Sequence, residues 1–199
     1  MRESVTAYIA LGANLGDPVA GVRKAMDDLA ALDGIALQQR SSLYRSAPLA
    51  SSGRDYINAV VEVSTRLSAP ALLSALQQIE QQAGRERPYP NAPRTLDLDL
   101  LIYGSASMDS ATLVLPHPRM LERAFVLLPL FEIAPQCVTA DQLQAIQTQA
   151  IVQIGNVIAA PDQVRDDRGG VRDDNRLVIA GPDPQSMARV ALDPGSSPG

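Results

Sequence analysis

Apolar and polar positions alternate near the start of this chain, with Val5, Ala7 and Ile9 set against Thr6, Tyr8 and Ala10 before Leu11 closes the run. A period of two marks a strand, and Gly12 to Gly16 follows it as a turn. Asp17 before Pro18 reads as a helix start, with a side-chain acceptor at the N-cap and proline at the first helical position. Val19, Val22, Met26, Leu29 and Leu32 recur at helical spacing, and Gly34 ends that helix. Residues 35–44 and 56–67 read as strands joined by the polar stretch 46–55. Ser68 caps a second helix with the apolar face Leu72, Leu73, Leu76 and Ile79, and Gly84 closes it.

Residues 85–93 hold prolines and arginines without period, hence a loop, and they lead into the run P-R-T-L-D-L-D-L-L-I-Y from Pro93 to Tyr103. There Leu96, Leu98 and Leu100 alternate with Asp97 and Asp99, so a strand sends the leucines to one face and both carboxylates to the other. Gly104 starts a turn towards a strand over 112–115, Pro116-His117-Pro118 breaks the pattern, and 119–132 reads as helical up to Pro129. The order strand, helix, strand, strand, helix, strand predicts an α+β, ferredoxin-like fold, an antiparallel sheet with helices packed on one face. The expected domain spans 1–141. In the remaining 142–199, a short helix over 142–149 and an apolar stretch over 151–160 precede a mixed-charge segment, so this extension is expected to be partly disordered.

Composition narrows the function classes. At 199 residues, 46% apolar and 20% charged, the chain supports one globular core, and its net charge of −5 argues against a broad nucleic-acid footprint. A single cysteine, Cys137, excludes an internal disulfide and a multi-cysteine zinc site. No signal-type segment or membrane-length apolar run is present. The expectation is a cytoplasmic monomer that engages neither nucleic acid nor membrane.

Asp97 and Asp99 carry the clearest chemistry. Residues two apart on a strand lie roughly 6.5–7 Å apart at the backbone, so their oxygens can share one divalent cation or flank a pair of them. Hard oxygen donors suit Mg²⁺, which takes one or two protein carboxylates and leaves its other positions to water and phosphate. Alternation alone is equally what a half-buried strand with a solvated acidic face shows.

Several blocks resemble, in order and at compatible spacing from about Ala7 to Pro135, the 6-hydroxymethyl-7,8-dihydropterin pyrophosphokinase family. They are the run Ala10 to Gly16, Tyr44 to Pro48, Asp55 to Asn58, Ile79-Glu80 with Gly84-Arg85, Pro93 to Asp99, and Leu115 to Pro118 with Arg123 to Phe125. The resemblance implies transfer of the terminal pyrophosphoryl unit of ATP to the hydroxymethyl oxygen of a reduced pterin, releasing AMP, on the way to folate. It implies that Asp97 and Asp99 hold two Mg²⁺ ions on the triphosphate of the co-substrate ATP. Arg85 and Arg94 join the two aspartates as catalytic residues, while Arg87, His117, Arg123 and Gln77 contact ATP. Ser46, Pro48, Leu49, Tyr56, Asn58 and Phe125 form the pterin site, with Tyr56 and Phe125 stacking the ring and Asn58 reading its edge. Glu80 takes a supporting role, either orienting a loop arginine or contacting substrate.

The chain departs from the family pattern at Asn91 and Ala92, where tryptophan and glycine are common, and it contains no tryptophan at all. Tyr89 is the nearby aromatic. One alternative reading is a non-catalytic nucleotide- or pterin-binding module on the same scaffold. An RNA-binding domain on this architecture is disfavoured by the acidic composition and by carboxylates at the strand centre.

Overall fold

A computed structural model describes residues 3–48, 53–84 and 95–155. Its strands are β1 (Val5–Ala13), β2 (Ile35–Arg40), β3 (Leu43–Ser46), β4 (Tyr56–Thr65), β5 (Asp97–Tyr103), β6 (Met108–Asp109), β7 (Val114–Leu115) and β8 (Ile151–Gly155). The helices are α1 (Pro18–Ala30), α2 (Ala69–Gln82), α3 (Ala124–Ile133) and α4 (Ala140–Ala145). The main sheet runs β5-β1-β4-β3-β8, with β2 also on β4, and every pairing in it is antiparallel. Strands β6 and β7 form a separate ribbon. The ferredoxin-like α+β expectation holds.

Strand alternation sorts side chains onto two cores. Ile9, Leu11, Ala59, Val61, Val63, Leu98 and Leu100 share a core with Val22, Met26 and Leu29 of α1 and Leu72, Leu76 and Ile79 of α2. Tyr8, Val60 and Leu101 belong to a second core with Met120, Leu127 and Leu130. Helix α3 therefore packs on the face opposite α1 and α2, adding a layer to the one-faced arrangement expected from the sequence. The helix starts behave as their residues dictate, with Asp17 accepting the Ala20 N–H and Ser68 that of Ala71.

Three local expectations change. The strand expected over 35–44 divides at Ser41-Ser42 into β2 and β3. Ser41 exchanges bonds with Val60, its N–H donating to the Val60 carbonyl and its Oγ accepting the Val60 N–H, both at 2.9 Å. Ser42 turns to Glu132 of α3, which accepts from both the Ser42 backbone N–H and its Oγ, and from Tyr44 Oη at 2.9 Å. The helix expected from 119 instead starts as a 3-10 turn, Met120–Glu122, before α3, and Pro129 lies inside α3 without ending it. A proline there forfeits a single helical bond, and Leu130 and Ile133 beyond it are buried. The short helix expected over 142–149 is α4, Ala140–Ala145, and the apolar stretch after it supplies β8 on the edge of β3. The expected boundary after 141 thus runs through α4, and residues up to 155 contribute to the sheet.

Candidate active site

The site forms on the α3 face of the sheet. Gly12 is opposite Asn58 on one side and Asp97 on the other, and Ala10 is opposite Asp99. Directly opposed residues project to the same face, so Asn58, Gly12 and Asp97 make one row across β4, β1 and β5. Strands lie about 4.8 Å apart, which separates the Asn58 and Asp97 backbones by roughly 10 Å. Gly12 keeps the space between them open, and a Cβ there would meet Asn58 Oδ1 at 3.3 Å.

Strand β5 carries the acidic pair at the edge of the sheet, with Asp97 and Asp99 half-buried and Leu96, Leu98 and Leu100 buried, as the alternation requires. Beneath the pair, Glu80 of α2 is 1% exposed. Its Oε1 accepts the Leu98 N–H at 2.7 Å, fixing the strand midway between the aspartates. Just beyond them the register shifts, Tyr8 facing Ile102 and Ile9 facing Leu100, so Leu101 is the extra residue of a bulge. The Leu101 carbonyl accepts the His117 N–H at 2.8 Å. The bulge thereby ties the Pro116-His117-Pro118 segment beside Asp99.

His117 Nδ1 accepts the Arg119 N–H at 3.2 Å, which leaves Nε2 as the ring's donor. Burial pushes the His117 pKa below the usual imidazole value; Asp99 pulls it up, Arg123 and Arg119 push it down, and Asp97 adds a smaller upward pull. These interactions place His117, Arg123 and both aspartates in one electrostatic neighbourhood, and they add Arg119, which the sequence reading passed over although it follows the P-H-P segment directly.

Three of the expected pterin residues, Ser46, Pro48 and Phe125, line a cavity near Arg123. This cavity of about 150 Å³ is lined by Ser46, Ala47, Pro48, Ala124, Phe125, Gln149, Ala150 and Ile151, close to the size that admits a single aromatic ring. Asn58 is 4% exposed and donates Nδ2 to Ser46 Oγ at 3.0 Å, while Tyr56 pairs with Ser46 in the sheet. Both therefore sit behind or beside the Ser46 wall and do not line the cavity. The Arg123 guanidinium lies 5.5 Å from the centre of the Phe125 ring, joining the phosphate side to the ring slot. Gln77 is exposed on α2, and its ATP assignment stands on the resemblance alone. Leu49, Arg85, Arg87 and Arg94 lie outside the described residues.

The donor set fits Mg²⁺. Among the described residues no group of three or more His, Cys, Asp or Glu side chains converges on one point, so a closed cage of the zinc type is absent there. A half-exposed pair of carboxylates is what Mg²⁺ needs when phosphate and water complete its shell. No helix of the described residues is long and apolar enough to cross a membrane.

Comparison with known proteins identifies the family. The profile of 7,8-dihydro-6-hydroxymethylpterin-pyrophosphokinase matches residues 8–135. The 2-amino-4-hydroxy-6-hydroxymethyldihydropteridine pyrophosphokinase of Haemophilus influenzae is 44% identical over 135 residues, 67% of this chain and 84% of that protein. The protein of the same name from Synechocystis is 45% identical over 132 residues, 66% of this chain and 68% of its own. Among solved structures, a Plasmodium falciparum HPPK-DHPS with pteroate superposes with a TM-score of 0.57 at 12% identity, over 75% of this chain and 44% of that one. That likeness concerns the fold alone, and this chain spans less than half of the Plasmodium protein.

Proposed function

The chain belongs to the 7,8-dihydro-6-hydroxymethylpterin-pyrophosphokinase family, and on that premise we propose how its residues divide the work of pyrophosphoryl transfer from ATP to the hydroxymethyl group of 6-hydroxymethyl-7,8-dihydropterin in folate biosynthesis. The observation that carries the assignment is the row Asn58, Gly12, Asp97, which sets the amide that holds the Ser46 wall of the slot and a carboxylate suited to a metal on the two sides of one gap. The pterin lies in the slot between Ser46-Pro48 and Phe125, with its hydroxymethyl group directed over Gly12 towards the aspartates. Tyr56 and Asn58 back the Ser46 wall of that slot, and the resemblance adds Leu49.

The hydroxyl oxygen attacks the β-phosphorus, the bond to the oxygen bridging to the α-phosphorus breaks, AMP leaves, and the hydroxyl proton is lost to solvent. Asp97 and Asp99 would hold two Mg²⁺ ions, which when bound supply charge neutralisation at the triphosphate oxygens. The chain's own cations complete the neutralisation. His117 donates through Nε2 and Arg123 through its guanidinium, with Arg85, Arg87 and Arg94 as further forks that match phosphate oxygens and stay charged at any relevant pH. Gln77 contacts the adenosine. Glu80 has the supporting role of strand anchor, favoured by its bond to the Leu98 amide over a direct contact with substrate. Phosphoryl transfer depends mainly on positioning and charge, and a rigid edge strand pinned from behind provides the first. The reading places the protein in the cytoplasm as a monomer.

The test mixes the purified protein with ATP, Mg²⁺ and 6-hydroxymethyl-7,8-dihydropterin and separates AMP from ADP. AMP formed only when pterin and Mg²⁺ are both present is the expected result. ADP in its place, or no nucleotide product from folded protein, would overturn the reading, the latter in favour of a binding module.

A further inference from the structure

Gln149 lies beyond the stretch 8–135 matched by the family profile, yet its side-chain amide makes two bonds to one short piece of backbone at the slot. Its Oε1 accepts the Ala124 N–H at 2.9 Å, and its Nε2 donates to the Glu122 carbonyl at 2.8 Å. These two backbone groups flank Arg123. Ala124 is the first residue of α3, where a helix leaves its N–H groups without internal partners. The residue at the N-cap, Arg123, makes no side-chain capping bond. Gln149, from a distant part of the chain, satisfies the first of these N–H groups, that of Ala124. One group must be accepted from and the other donated to, and among side chains a primary amide does both at once.

The clamped segment carries two residues of the site. Arg123 lies over the Phe125 ring at 5.5 Å, and Phe125 lines the same cavity as Gln149 itself. From this geometry we infer that Gln149 is a positioning residue, locking the backbone over 122–124 and so setting the directions of the Arg123 guanidinium and the Phe125 ring. The inference rests on the proposed function for the identity of the ligands that feel the lock. Loosening that segment removes binding that the ground state and the transition state share, so the loss falls on KM and leaves kcat nearly unchanged.

Gln149→Met keeps the length of the side chain and removes both bonds, and Gln149→Glu keeps the acceptor for Ala124 while losing the donor to Glu122. Gln147→Met, at an exposed position two residues away, is the control. Three readouts are compared with wild type: hydrogen exchange of the Ala124 amide, the melting midpoint, and steady-state kinetics with ATP and 6-hydroxymethyl-7,8-dihydropterin. In Gln149→Met the Ala124 amide should exchange at least about tenfold faster and the pterin KM should rise about tenfold, equivalent to about 1.4 kcal/mol. Its kcat should stay within about threefold, with ATP KM rising less than pterin KM and Gln149→Glu falling between. A lowered melting midpoint with unchanged KM values would assign Gln149 a merely structural part and overturn the inference, as would unchanged Ala124 exchange. Should Gln149→Met fail to fold, Gln149→Glu carries the same comparison. A wild-type protein that does not turn over pterin would remove the functional reading separately, and Ala124 exchange with ATP affinity would still decide whether Gln149 fixes Arg123.

Discussion

Gly12 shows how much a missing side chain can contribute. Its cross-strand neighbours are Asn58 and Asp97, and a Cβ on it would already press on Asn58 Oδ1 at 3.3 Å. Gly12→Val should therefore raise pterin KM by more than about tenfold, because its methyl groups fill the gap between Asn58 and Asp97 and press on the amide that holds Ser46, while ATP affinity changes little. Parallel titrations with the two substrates check this, and equal losses for both would contradict it. The acidic pair makes the opposite kind of prediction. Asp97→Ala or Asp99→Ala should cut AMP formation by about a thousandfold or more, since metal-assisted charge stabilisation is worth several kcal/mol. The melting midpoint should hold, because substitutions at partly exposed positions usually stay within about 0.5 kcal/mol. Retained turnover in either variant at saturating Mg²⁺ would remove the metal assignment. These residues were legible in the sequence because alternation and the P-R-T-L-D-L-D-L run put them on one face of one strand. Gly12 was read as the start of a turn and as part of the matched block Ala10 to Gly16, with no role of its own, since its importance comes from neighbours on two other strands.

At the scale of elements, the position of β5 explains why Glu80 is buried. An edge strand has backbone groups with no neighbour on one side, and Glu80 of α2 meets the Leu98 N–H there. Glu80→Leu should leave that donor buried and unpaired at a cost of about 1–3 kcal/mol, read as a lower denaturation midpoint, and should also slow turnover by loosening the strand between Asp97 and Asp99. Glu80→Gln keeps an oxygen for the bond and should cost less; equal losses in the two variants would deny the bond its role. Sequence reasoning placed Glu80 on the right helix but could not aim it, because helical periodicity assigns a face and says nothing of what packs there. The same limit hid the division of β2 from β3. Ser41 and Ser42 look like ordinary strand residues until Val60 and Glu132 are known to be their partners. The Leu101 bulge was equally invisible, since Leu100 and Leu101 are both apolar and only the register with β1 shows that one of them is extra. Local signals such as Asp17-Pro18 and Ser68 were read correctly because a cap depends on residues within a turn of each other.

For the whole molecule, the extension takes part in the fold from its first residues up to β8. The sequence reading ended the domain at 141, where the hydrophobic pattern fades, yet α4 begins before that point and β8 pairs with β3 after it. Beyond strand pairing, Gln153 donates to Ser42 Oγ at 2.6 Å, which itself donates to Glu132, and Gln149 holds the start of α3. Polar residues make these bonds, and the apolar anchors beside them, Leu143 and Ile146, are too few to extend the hydrophobic pattern. A chain cut after Gly155 should keep the melting midpoint and the pterin KM of the full protein, because it retains every strand and helix of the described residues. A chain cut after Asp141 should lose at least about 4 kcal/mol, since Leu143 and Ile146 leave the second core at about 1.5–3 kcal/mol each together with several hydrogen bonds at about 0.5–1.5 kcal/mol each, with a raised pterin KM because the Gln149 to Ile151 wall of the slot is gone. Denaturant titration and kinetics of the two truncations decide the matter. If the shorter one matched the full chain in both, the domain would end where the hydrophobic pattern does, and β8 would be an ornament of the edge with no part in shaping the slot.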